Sequence, residues 1–124
     1  MTTPIRIRIG SLVLDGTLGD TPCARAIAAA LPLRSRVQEW GDEFYFTVPV
    51  AWDPDETATS EVEVGDIGYW PPGQAVAIFF GPTPLSSGEN PVPASAVNLV
   101  GMIDGDPRVL RTAKGAAEIR IERV

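Results

Sequence analysis

Both ends of the chain follow the same alternating pattern, and that pattern restricts the fold more than any other feature. Ile5, Ile7 and Ile9 alternate with Arg6 and Arg8; near the other end Ala117, Ile119 and Ile121 alternate with Glu118, Arg120 and Glu122. Alternation with period two describes a strand with one face buried and the other in water. The outward charges of the first strand are basic, and Glu118 and Glu122 of the last are acidic. Pairing the two strands sets opposite charges across from each other and covers two edges that would otherwise invite aggregation. First and last strands are therefore expected as neighbours in a closed barrel.

Between them the chain reads as short strands broken by turns, the pattern of a sandwich or barrel. Gly10-Ser11 turns into a return strand from Leu12. Thr21 and Pro22 suit the cap and first position of a helix running to Leu31, with Cys23, Ile27 and Leu31 on one face and Pro32 as the stop. Glu43–Val48, Glu61–Val64, Ile67–Trp70, Ala75–Phe80 and Ala96–Ile103 are strand-like, and Asp106-Pro107 opens a short helix through Arg111. Residues 53–60 and the Pro- and Gly-rich 81–93 read as loops. This gives a mainly β, single-domain protein over 1–124 with about eight strands, one main helix and one short helix.

The residues missing from the chain narrow its chemistry. It has no histidine, which removes Ser-His-Asp and Cys-His catalysis and His-ligated metals. Cys23 is alone, so neither a disulfide framework nor a cysteine zinc site is available. Asp53, Asp55 and Glu56 suggest a calcium loop, but counting from Asp53 puts Ala58 where glycine is required and Val64 where glutamate is required. No metal and no cofactor are expected. The net charge of −6, with Lys114 as the single lysine, offers no basic stripe for phosphates, so nucleic acid is not an expected partner. No apolar run is long enough to span a bilayer and no secretory h-region opens the chain, so a cytoplasmic protein without a membrane partner is expected.

The stretch Gly65-Asp66-Ile67-Gly68-Tyr69-Trp70-Pro71-Pro72-Gly73 joins a turn, an aromatic pair and a rigid corner, and Ala75–Phe80 follows as a buried strand. Phe79 and Phe80 are consecutive, so they point to opposite faces: one fills the barrel, the other faces a helix or a groove. Trp40, Asp42, Glu43 and Tyr45 form a second constellation, with Glu43 and Tyr45 on one strand face and Phe44 and Phe46 on the other. A turn followed by a strand accounts for these residues without any acid–base role.

With Trp40-Gly41-Asp42-Glu43, Phe79-Phe80-Gly81-Pro82-Thr83-Pro84 and Ala94-Ser95-Ala96-Val97-Asn98, this block resembles the small prokaryotic proteins of cyclophilin-like fold, a largely uncharacterised family. The resemblance implies a closed barrel with a helix plugging an end. A fainter likeness reaches the cyclophilin peptidyl-prolyl isomerases. Ile78-Phe79-Phe80 is similar to their Gln-Phe-Phe strand, Val100–Gly105 to their Gly-Arg-Val-x-x-Gly segment, and Arg36-Val37 to the end of their Phe-His-Arg-Val motif. Arg34-Ser35 replaces the Phe-His part, and Ile78 stands where the glutamine would be.

Three readings follow. The first is a protein that binds a peptide or small apolar molecule in an aromatic groove built from Tyr69, Trp70 and Phe80, with Thr83, Ser95 and Asn98 as polar contacts. The second, implied by the fainter likeness, is a prolyl isomerase in which Arg36 donates a hydrogen bond to the twisted amide beside Phe80. The third is a structural or homo-oligomeric protein with no ligand.

Overall fold

The alternation at the chain ends becomes strand pairing. The computed structural model describes residues 1–124. Its strands are β1 (Thr3–Ile9), β2 (Leu12–Leu18), β3 (Leu33–Arg36), β4 (Gln38–Glu39), β5 (Glu43–Thr47), β6 (Asp66–Trp70), β7 (Ala75–Phe79), β8 (Asn98–Ile103) and β9 (Glu118–Arg123). They form one sheet in the order β3-β9-β1-β2-β8-β6-β7-β5-β4, with every pairing antiparallel. β1 lies between β2 and β9, and Ile7 faces Ile121 while Ile9 faces Ile119. The outer charges pair, two of them on the diagonal: Arg8 meets Glu122 at 2.7 Å and Arg34 of β3 meets Glu118 at 3.0 Å, while Arg6 turns to Asp15, directly opposite on β2, at 2.9 Å. These pairs are exposed and add little stability.

The sheet nearly closes on itself through a single piece of chain. β3 pairs with β9, β4 pairs with β5, and Val37 between them donates its N–H to the Ala117 carbonyl at 3.1 Å. The two ends of the strand order are thus consecutive segments of one stretch; these two added strands, less the expected one at 61–64, give nine where about eight are expected. The sequence Leu33-Arg34-Ser35-Arg36 conceals its strand because only Leu33 of the four is buried. Conversely, Glu61–Val64 alternates yet joins no ladder. Val62 is buried there, and the nearest pairing is an isolated bridge between Thr59 and Val97.

Inside the barrel, Ile5, Ile7, Ile9, Phe44, Phe46, Ile67, Tyr69, Val76, Ile78, Phe80, Ile119 and Ile121 share one core cluster. Two helical segments add to it. The α-helix α1 (Pro22–Ala29) starts at Thr21, whose Oγ1 accepts the Ala24 N–H, and it contributes Cys23, Ala24, Ile27 and Ala28. It ends at Ala29, short of the expected Leu31. The 3-10 helix Pro107–Ala113, capped by Asp106, contributes Leu110 and Ala113. A second, smaller cluster of Val62, Ala77, Phe79 and Val97 sits on the outer side of the same sheet. No helix is long and apolar enough to cross a membrane.

Candidate functional site: an aromatic groove on the outer face of the sheet

Strand alternation sends Glu43 and Tyr45 of β5, Trp70 of β6, and Ala77 and Phe79 of β7 outward. The segment 93–97 returns over this face, and Trp40 stands at its rim just ahead of β5. Together these residues enclose a groove of about 250 Å³, lined by Trp40, Glu43, Tyr45, Trp70, Phe79 and Val97, with Ala77, Pro93 and Ala94 between them.

The local sequence explains why the walls stand where they do. Trp40 and Glu43 close a tight turn, the Trp40 N–H donating to the Glu43 carbonyl at 3.0 Å, and Gly41 occupies it at φ 62°. A side chain at Gly41 would be strained by that φ and would also meet the Pro82 carbonyl at 2.9 Å. The Trp70 ring lies directly on Gly73, where an added Cβ would fall 2.5 Å from it. Its Nε1–H donates to Ser95 Oγ at 2.7 Å, so the Pro-Pro-Gly corner and the 93–97 segment hold the ring from two sides. Gly68 leaves room on the outer face of β6 for Val97 to settle against the sheet, since a Cβ there would approach Val97 Cγ2 to 2.8 Å.

Glu43 gives the groove its chemistry. It is 8% exposed, and its Oε1 is sealed from solvent with no hydrogen-bond partner. Burial pushes its carboxyl up to about 7, and no cation opposes that shift. Its neighbour Asp42 behaves in the opposite way. Burial pushes the Asp42 carboxyl up, but Lys114 at 2.6 Å and Arg111 at 2.8 Å outweigh it and hold the group below the usual carboxylate range. Asp42 also exchanges backbone hydrogen bonds with Phe80 and Pro82, tying the Trp40–Glu43 turn to the chain after β7.

A second depression, larger and wide open, lies across β3 and β9 and is lined by Arg8, Arg34, Arg36, Glu118 and Arg120. Arg8 and Arg34 there are already tied to Glu122 and Glu118. It lacks the enclosing apolar walls of a ligand pocket.

The model of the cyclophilin-like family matches residues 3–122. The chain belongs to the cyclophilin-like family. It is also similar to the solution structure of a hypothetical protein from Archaeoglobus fulgidus, at 40% identity and a TM-score of 0.82, over 98% of this chain and 95% of that one. No curated protein matches it.

Within this cyclophilin-like barrel the residues singled out from sequence go to different places. Trp70 and Ser95 come together at the groove. Phe80 does not reach it: it belongs to the barrel core, its ring 4.7 Å from that of Phe44, and Phe79, just as buried, is the phenylalanine on the outer side. Tyr69 also points inward, its hydroxyl donating to the Val50 carbonyl at 2.6 Å and accepting the Trp52 N–H. Asn98 is buried and fully engaged: it accepts the Asp55 N–H and donates to the Asp53 carbonyl, both at 3.0 Å, which pins the 51–59 loop. Thr83 is occupied in the same way, bonded to Val92 and Ser86 within the Pro-rich loop. Arg36 is exposed on β3 in the arginine-lined depression, so it and the interior Phe80 share no site.

Trp40, Glu43, Tyr45 and Phe79 are lining residues that the sequence-based site left out. The outward set Glu43 and Tyr45 is readable from alternation alone. What places Phe79 on their side is the β5–β7 register, which sets Glu43 opposite Phe79 and Tyr45 opposite Ala77.

Proposed function

We propose that this cyclophilin-like protein is a binding module whose ligand, a small apolar molecule or one apolar side chain of a peptide, sits in the outer-face groove. The observation that carries this reading is the concavity itself. Its floor is a buried sheet face, three of its walls are the half-buried aromatics Trp40, Tyr45 and Trp70, and the protein's own side chains leave about 250 Å³ unfilled. That volume lies below the roughly 300–1,000 Å³ of pockets for drug-sized ligands. It suits one ring system or one side chain. Aromatics held by a proline corner and a serine hydrogen bond lose little freedom on binding, which favours affinity.

The test is a backbone-amide NMR titration with 2-phenylethanol and, separately, with a short Ala-Pro peptide amide. Shifts concentrated at Glu43, Tyr45, Ala77, Phe79, Ala94 and Val97, and lost in Trp70→Ala, are the expected result. No saturable shifts, or shifts confined to the Arg36 depression, would overturn the reading. A prolyl-exchange assay on the same samples asks whether the bound peptide is also isomerised.

A further inference from the structure

We infer that the groove is built for a protonated amine carried on an apolar stem, with the Glu43 carboxylate receiving the ammonium and Trp40, Tyr45 and Trp70 surrounding the stem. This inference rests on the groove being a ligand site and adds the ligand's charge. Three independent observations converge on it.

The first is the unmet partner. A buried carboxylate oxygen without a donor is costly, and proteins seldom keep one. Glu43 Oε1 has none, although its sequence neighbour Asp42 holds two cations, Lys114 and Arg111. The turn thus separates two adjacent acids: one neutralised by the protein, the other left on the groove. The second is the wall chemistry. Aromatic faces are electron-rich and attract cations, most strongly where water is excluded. The Trp70 N–H is directed away to Ser95, so this donor is not offered to an anionic ligand. The third is the surrounding charge. Glu43 and Tyr45 are the only titratable residues on the lining, no cationic side chain lines it, and the chain carries a net −6 that steers cations toward its surface.

A protonated amine supplies what the site lacks. Its N–H bonds partner the carboxylate, a charge-assisted contact stronger than a neutral one. The carboxylate is then held ionised, and the apolar stem covers the rings. A free alkyl or aryl amine and the lysine side chain of a peptide share this chemistry.

The probe is 2-phenylethylamine, set against 2-phenylethanol, which has the same stem without the charge, and against an acetylated lysine amide, which presents the amine from a peptide unit. Binding is followed by amide shifts at about pH 8, above the value of about 7 to which burial pushes Glu43. The amine is expected to bind wild type about tenfold or more tightly than the alcohol, and Glu43→Gln is expected to bring amine binding down to the level of the alcohol in the same variant. The lysine amide binding as well as the amine assigns a peptide source; binding more weakly assigns a free amine. Should Glu43→Gln fail to fold, the wild-type Glu43 side-chain carbon decides, because saturating amine is expected to shift its titration to lower pH. Alcohol and amine binding equally would overturn the inference while leaving the groove reading intact. A preference that survives Glu43→Gln would also overturn it. Binding of neither probe would overturn both.

Discussion

Phe79 and Phe80 are covalent neighbours with identical side chains, and they belong to different parts of the molecule. Phe80 closes the barrel core against Phe44, beneath Lys114, whose ammonium lies 5.9 Å from its ring. Phe79 lies on the opposite face of the same sheet, in a buried patch with Val62, Ala77 and Val97 that borders the groove. The interior is sealed by strands and two helical segments, and its polar groups have partners. The outer face is roofed by one segment, and its acid has no partner. One strand therefore builds a structural surface and a binding surface at once, and the contrast teaches that the side kept incompletely satisfied is the one to examine for function.

The contrast can be broken or sharpened by substitution. The largest effect is expected on the inner face. Phe80→Ala removes a fully buried ring and should cost about 3–5 kcal/mol in urea unfolding. If Phe80 belongs to the core alone, the variant that remains folded should bind 2-phenylethanol as wild type does. Loss of binding at full occupancy of the folded state would join the two faces functionally.

Next comes the acid on the outer face. The folded value of Glu43, about 7, lies above the ordinary 4.5, so its burial carries no ionisation cost while both states hold the proton, below about 4.5. Stability is lost as pH rises from there through 7. A shift of that size corresponds to about 3 kcal/mol. Glu43→Gln should remove this slope. Its stability relative to wild type, measured by chemical denaturation, should rise across that window and stay level above and below it. A flat difference would place the carboxylate in contact with water or a partner.

Asp42 has the opposite sign and a smaller effect. Its folded value is depressed, so its contribution is complete above the unfolded carboxylate range and is lost as pH falls through the lowered value. Asp42→Ala should cost about 1 kcal/mol at neutral pH, since Arg111 and Lys114 are half in solvent, and the cost should shrink in acid and in high salt. Smallest of all, Ser95→Ala leaves the indole over Gly73 in place and gives up only the hydrogen bond from Trp70 Nε1. About 0.5 kcal/mol, the low end for a hydrogen bond within reach of water, is the expected loss in thermal unfolding, with a looser 93–97 segment seen as faster amide exchange there.

Much of the fold is legible in the residues. Alternation in 5–9 and 117–122 fixes which faces are buried and makes β1 and β9 partners. The cap at Thr21 and the block from Gly65 to Phe80 give the helix start and the β6–β7 hairpin. The closing stretch from Leu33 to Glu39 is not legible, because its pairing is set by neighbours distant in sequence rather than by its own apolar pattern. The site is legible only in pieces. Trp70 is marked by its corner, and Ser95 by its place near the proline-rich loop. Choosing Phe79 over Phe80 requires the register with β5, which no local pattern contains. Asn98 and Thr83 show the opposite hazard: polar residues near a loop, read as contacts for a ligand, are consumed by that loop's own backbone.

The central claim is that the outer-face groove holds a desolvated carboxylate without a protein partner. The most direct measurement is the titration of the Glu43 side-chain carboxyl carbon by NMR in the ligand-free protein. A midpoint of about 7 is the result expected. A midpoint at or below the ordinary 4.5 would mean that water or a cation already satisfies the group, and would contradict the account.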